Sequence, residues 1–465
     1  MNYFNINIIS FCLFILIIKQ YNSKNDIYKI PIGLYNTKIF YNSLDMVNNI
    51  FYNLLYANLS IGTPPQIIPF SLNLSTQTFS VPNDLFNKNE STSYESISKK
   101  ETSYEYESVI TGFNSKDILN IDNNTNKKID FILGTKYENE NNILGIIGLL
   151  IPQNFHYGVD PFFRSLRSGG FINAYSWTLK FFDNVSLIDT IVYNKNKNNI
   201  IGEFIFGDEP HNYETEKDKY NITEYLRVSP LSSSVGSIYW DIEFKSIYLI
   251  NKENQIDDKN KFIIQGGKRA LLKPEIGFII GSNEFFYSIK NNFFNKYLEN
   301  NICSINKIDN YSYIECKYND NSFILSSFPK ICFEHIGFET IFNLTYQDLF
   351  VLDKINNKYI FLILNRENNS YWELGSIFFR KFQLVFNEDY KTIGFYKSSI
   401  YKEEKNETEE QNKGIIKYII LIILLISFSF LLILIGMLIQ KKCCSKDRKK
   451  RLNEFDENYS YENIN

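Results

Sequence analysis

The chain has 465 residues, of which 44% are hydrophobic and 16% aromatic, enough apolar material for large cores in two or three domains. Its formal net charge of −3 gives no hint of nucleic-acid binding, which draws on a strongly basic surface. Asparagine and lysine are plentiful everywhere, so patches such as 194–199 reflect composition. So do the Asn-X-Ser/Thr matches at Asn58, Asn89, Asn184, Asn221 and Asn343, which are weak indications of glycosylation.

In chain order, Ile8 to Ile18 is a short apolar core followed by polar Lys19-Gln20 and Asn22-Ser23. It is too short for a span, which needs ~20 apolar residues, and reads as a cleaved secretory signal over 1–21. The absence of a charged start leaves an uncleaved anchor open. From there to Lys397, runs of four to seven apolar, aromatic and β-branched residues alternate with Asn, Asp, Gly or Pro. That is the pattern of an all-β chain. Phe285 to Asn300 is the exception, with a sustained helical period. Ser399 to Gly414, rich in Glu and Lys, reads as a flexible stalk over 399–414.

Tyr418 to Ile439 is continuous and almost wholly aliphatic, and its 22 residues reach roughly 33 Å as a helix, enough to cross a bilayer. Lys441, Lys442, Lys446, Arg448, Lys449, Lys450 and Arg451 follow, opposed by Asp447 alone. The positive-inside tendency makes 441–465 a cytosolic tail and 415–440 a transmembrane helix. The expectation is a type I single-pass protein of the secretory or endolysosomal pathway or the cell surface, with its large domain lumenal or extracellular. Cys443 and Cys444 at the inner membrane edge are palmitoylation candidates or reduced thiols. Tyr461 to Ile464 resembles a tyrosine-plus-apolar sorting signal, a cheap match in a tyrosine-rich chain.

Two segments carry the most information. Ile61-Gly62-Thr63-Pro64-Pro65-Gln66 leads through Phe70-Ser71-Leu72-Asn73-Leu74-Ser75 to Val81-Pro82. About two hundred positions after Asn73, Ala270-Leu271-Leu272-Lys273-Pro274-Glu275-Ile276-Gly277 leads through Phe278-Ile279-Ile280 to Gly281. Between and beyond them stand Asn142 to Gly148, Pro161-Phe162-Phe163, Gly202 to Gly207, Tyr239-Trp240, Phe328 to Phe333, Trp372 to Phe382 and Ile393-Gly394-Phe395. These runs, in this order, resemble the pepsin-like aspartic protease family over about Phe51 to Lys397.

The resemblance implies an all-β, bilobal, pepsin-like double β-barrel with a central cleft, to which the sequence adds one transmembrane helix. It places a first lobe at 53–232, a second at 233–398, and a vestigial prosegment or spacer at 22–52, expected to form an ordered N-terminal strand. Family members work through two carboxylates that share one proton, one acting as base toward water and the other as acid. In this chain those two positions are Asn73 and Lys273, and an amide and an ammonium cannot do that work. No aspartate lies between Asp45 and Asp84 or between Asp258 and Asp309, so no small shift of alignment restores a carboxylate. The threonine and glycine that follow each aspartate in the family read Leu74-Ser75 and Pro274-Glu275. The flap tyrosine of the family falls near Ile110, and Tyr106 requires a gap.

The expectation is therefore no catalytic residue, with Ser75, Ile110, Glu275 and Gly277 as residues of a peptide-holding cleft. Asn73 as a plain strand or sequon asparagine, and Lys273 with Glu275 as a local ion pair or solvated turn, are the alternatives. Cys316 sits where the family has the first cysteine of a disulfide whose later partner is missing; Cys303 to Cys316 is the expected bridge, leaving Cys332 a buried thiol. No cofactor, metal or nucleic acid is implied. The leading function is a membrane-anchored, non-catalytic binder of a polypeptide or protein ligand; an aspartic-type endopeptidase and an adhesive or structural ectodomain are the alternatives.

Overall fold

A computed structural model describes residues 27–35, 47, 50, 54–99, 101–106, 108–121, 126–137, 144–151, 160–182, 200–215, 220–230, 239–250, 261–264, 268–318, 323–337 and 341–396. The predicted signal peptide, stalk, membrane helix and tail lie outside these residues. Among the described residues no helix is long and apolar enough to cross a membrane.

Among the described residues, strands dominate and collect into two large sheets, of fourteen and twelve strands. The first holds the strands up to Ile200–Phe206, together with Tyr225–Val228, Leu384–Asn387 and Thr392–Tyr396 from the far end of the chain. The second holds the strands between Asp241–Ile250 and Trp372–Leu374. The first and last described strands thus belong to the same sheet.

The N-terminal segment is an interior member of the first sheet. Tyr28–Tyr35 pairs antiparallel with Ile200–Phe206 on one side and with Leu54–Ala57 on the other. Tyr28, Ile30 and Ile32 alternate into the core with Lys29 and Pro31 outward, the period of two expected of a strand with one buried face. Farther on, Val47 and Ile50 are helical and fully buried.

One continuous apolar core runs through both sheets. Where they meet, Trp177 stacks on Phe386 with ring centroids 4.0 Å apart, and Trp240 meets both rings edge-on. Each such ring contributes on the order of 2–3 kcal/mol through burial. The helical period at Phe285 becomes a continuous helical stretch from Asn283 to Glu299, whose middle, Lys290–Phe294, widens into a π-turn. Ser282 caps it by accepting the amide of Phe285, and Phe285, Phe286, Ile289, Phe293, Phe294 and Tyr297 form its buried face.

Candidate functional site

The same backbone motif occurs twice. In the first lobe, strand Gln66–Asn73 runs parallel to Gly145–Gly148, with Asn73 opposite Gly148. The chain then turns through 74–78 and comes back as Phe79–Pro82, antiparallel to Gly145–Gly148. In the second lobe, Arg269–Leu272 runs parallel to Trp372–Leu374, the chain turns through 273–278, and Ile279–Gly281 returns antiparallel to Trp372–Leu374. Each turn is stitched to the strand it crosses. Leu149 N donates to Asn73 O at 2.7 Å and Leu150 N to Thr76 O at 3.0 Å. In the second lobe, Lys273 N donates to Leu374 O at 3.0 Å and Ser376 N to Ile276 O at 2.8 Å.

Close crossing explains the glycines. A Cβ on Gly148 would overlap the backbone of Gln77 and Thr78, and one on Gly375 would overlap the carbonyl oxygen of Phe278. Both positions need a residue with no side chain.

The side chains at the two turns differ in kind. In the first turn Asn73 Oδ1 accepts the backbone N–H of Ser75 at 2.7 Å, a local polar cap. In the second, Lys273 Nζ lies 3.6 Å from Glu373 Oε2, and Glu373 Oε1 lies 2.8 Å from Arg366 Nη2. Glu373 is almost fully enclosed, so its charge depends on these two cations. The two turns touch through one side-chain hydrogen bond: Ser75 Oγ donates to Glu275 Oε1 at 3.0 Å. Burial pushes the Glu275 carboxyl up to about 7, against the opposing pull of Lys273, its own backbone amide, the Ser75 hydroxyl and the backbone of Leu74.

A model of the eukaryotic aspartyl protease family matches residues 56–398. The chain belongs to that family. A comparison with curated protein sequences returns no match. The matched stretch contains both motifs just described and the all-β, two-lobed architecture of a pepsin-like domain.

The remaining residues expected at the cleft are placed as follows. Gly277 lies directly against the backbone of Ile50, whose carbonyl a Cβ on Gly277 would overlap, so Ile50 packs over this part of the second turn. Ile110 is on strand Ser108–Asn120, opposite Tyr104 and Tyr137, and is enclosed with Ile132, Ile146 and Tyr137 in a small apolar cluster. Tyr106 is at the end of its hairpin, paired with Ser108. That hairpin is anchored at its base by buried Asp117, which accepts from Ser91 Oγ at 2.7 Å, Ser93 Oγ at 2.5 Å and the amide of Ile118 at 2.7 Å. Cys303 and Cys316 face each other across the strands Cys303–Ile308 and Tyr311–Lys317 and are joined by a disulfide, while Cys332 is a buried thiol. Among the described residues no three His, Cys, Asp or Glu side chains gather to hold a metal.

Glu373 and Arg366 have no role in the sequence-based expectations above. Their signal was present: an acidic residue inside a strand, Trp372–Leu374, that is otherwise buried and apolar calls for a buried cation nearby.

Proposed function

We propose that the protein is a non-catalytic, membrane-anchored member of the aspartyl protease family whose interlobe cleft holds an extended polypeptide. The observation that supports this most is the chemistry of the two turns. Proton sharing between lobes needs a carboxyl from each turn, and the first turn, Asn73-Leu74-Ser75-Thr76-Gln77-Thr78, has none. The second turn has Glu275, engaged with Ser75, and nearby Glu373, engaged with Lys273 and Arg366. Loss of one acid or base removes a factor of roughly 10²–10⁴ in rate. Strand-like peptide capture relies on main-chain hydrogen bonds and side-chain pockets, and does not require the dyad.

The anchor is read from Tyr418 to Ile439 and the basic residues after it, with the family domain on the opposite side of the membrane. Resistance of the full-length protein to alkaline extraction, with the domain protected from protease added on the cytosolic side, tests this topology. For the cleft, the purified full-length protein is incubated with unfolded globin and a peptide library from pH 3 to 7. The expected result is peptide retention without cleavage. Turnover blocked by a pepsin-type transition-state inhibitor would refute the non-catalytic reading.

A further inference from the structure

Ser75 and Glu275 occupy corresponding places, each two residues past the point where its turn begins at Asn73 or Lys273. Ser75 Oγ donates to Glu275 Oε1 at 3.0 Å, so a hydroxyl already points its proton at a carboxylate. A nucleophile beside its base has this geometry: the two groups within hydrogen-bond reach, and the base oriented in turn by further partners. Those partners are present, since Lys273, the backbone amide of Glu275 and the backbone of Leu74 all favour the charged carboxylate. Glu275 Oε2 is out of reach of solvent and has no hydrogen-bond partner, so the carboxylate is poorly solvated and more basic than one in water. Burial accordingly pushes the carboxyl up to about 7, the range suited to a general base near neutrality. Ser75 is only half-buried. The remaining charged groups are Glu373, on Trp372–Leu374, and Arg366, on Ile363–Arg366, paired with Lys273 and with each other. Ile50, Gly375 and Ser376 bring no titratable side chain.

We propose that Ser75 is an acyl-accepting nucleophile with Glu275 as its general base, a covalent modification site between the turns for activated acyl donors, esters and thioesters. Ser75 Oγ bonds to the donor's carbonyl carbon as its proton passes to Glu275 Oε1. The tetrahedral intermediate then collapses, the bond from carbon to the leaving oxygen or sulfur breaks, and the departing anion takes the proton back from Glu275. The products are an acyl ester on Ser75 and a free alcohol or thiol, with no oxidation or reduction. Lys273, which attracts Glu275 and keeps a quarter of its side chain exposed, adds positive charge to the turn where the oxyanion forms. The transfer occurs once per chain and spares peptide bonds, whose amine must be protonated to leave and whose oxyanion needs an array of placed donors. The site therefore goes beyond the peptide-holding reading and does not alter it.

The test treats full-length protein in detergent micelles, without peptide, with p-nitrophenyl acetate and with an alkyl fluorophosphonate, from which Ser75 Oγ displaces fluoride. Either probe should leave one adduct per chain by intact mass, mapped to Ser75 and absent from that segment in Ser75→Ala. The labelling rate should rise on the order of 10²-fold from pH 5 to pH 8, as a carboxyl of pKa about 7 goes from about 1% to about 90% ionised. Glu275→Gln keeps an acceptor for the Ser75 hydroxyl but is no base. It should label at least about 10²-fold more slowly at pH 8 and lose the rise with pH. A hydrogen bond that merely ties the turns together would give no such adduct. No adduct at pH 8, an adduct on other residues alone, or wild-type rates in Glu275→Gln would each overturn the assignment. Should either variant fail to fold, the wild type decides: a Ser75 adduct whose formation is lost in acid supports the pair, and one formed equally at both pH values overturns it. Because no peptide is present, failure counts against the nucleophile and leaves peptide retention to its own assay.

Discussion

The first and second turns share one backbone and almost nothing else. At 73–78 the polar groups are neutral: Asn73 accepts the amide of Ser75 within the turn, and the Ser75 hydroxyl reaches across to Glu275. At 273–278 the charged Lys273 is met at long range by Glu373, itself held by Arg366, from strands about 100 residues away. The difference teaches that the crossed-strand motif is held by main-chain hydrogen bonds and by the bare glycines beneath it. The residues at the tip are free to change so long as each new charge finds a counter-charge.

The strongest way to break the comparison is to attack what the two lobes have in common. Gly148→Val and Gly375→Val should each lose more than about 4 kcal/mol or fail to fold, because the clash is with backbone that cannot move aside. Urea unfolding of the full-length variants measures this, and a mild effect in either lobe would show that the motif does not need the close crossing.

Glu373→Ala should cost roughly 3 kcal/mol, since it leaves two cations beside a buried site without their anion. The double variant Glu373→Leu with Lys273→Leu should recover most of that loss, as Arg366 still reaches the Tyr371 hydroxyl at 2.6 Å. Recovery no better than the single variant would mean that the charges are not a compensated set.

A milder contrast is in acid. His335, on Lys330–His335 in the second sheet, accepts the amide of Gly337 through Nδ1, and burial holds its pKa down to about 4. A depressed histidine contributes its stability above the unfolded value near 6.5 and loses it as pH falls toward 4. Thermal melts of wild type against His335→Gln should therefore converge over that interval by roughly 2 kcal/mol, a figure reduced for the ring's partial contact with water. Parallel curves would exclude the ring as the titrating group. The smallest effect is expected at the first turn: Asn73→Ala removes one local hydrogen bond and should cost about 1 kcal/mol in the same melts. A loss as large as that of Glu373→Ala would erase the proposed difference between the lobes.

Most of the architecture was legible in the chain because its signals are local. The framing residues around Asn73 and Lys273 and the helical period from Phe285 each span about two dozen residues or fewer. What could not be read is non-local. That Glu373 lies beside Lys273 follows from parallel pairing of Leu271 with Glu373, a register no single-strand pattern reveals. The Ser75–Glu275 bond and the packing of Ile50 on Gly277 require two distant segments to be folded together first. Ile110 illustrates the same limit: its place in the chain is near the flap, but the neighbours that enclose it, Ile132 and Ile146, come from two other strands.

The last described strand, Thr392–Tyr396, is hydrogen-bonded to Leu384–Asn387 and to Tyr225–Val228 in the first sheet. Tension applied through the residues that follow is consequently borne by the sheet that also holds the first described strand, Tyr28–Tyr35. The first bonds to feel it are the antiparallel rungs from Tyr396 to Tyr225 and from Phe395 to Leu384 and Leu226, so a pull from the C-terminal side would strip this ribbon before it strained either crossed-strand turn.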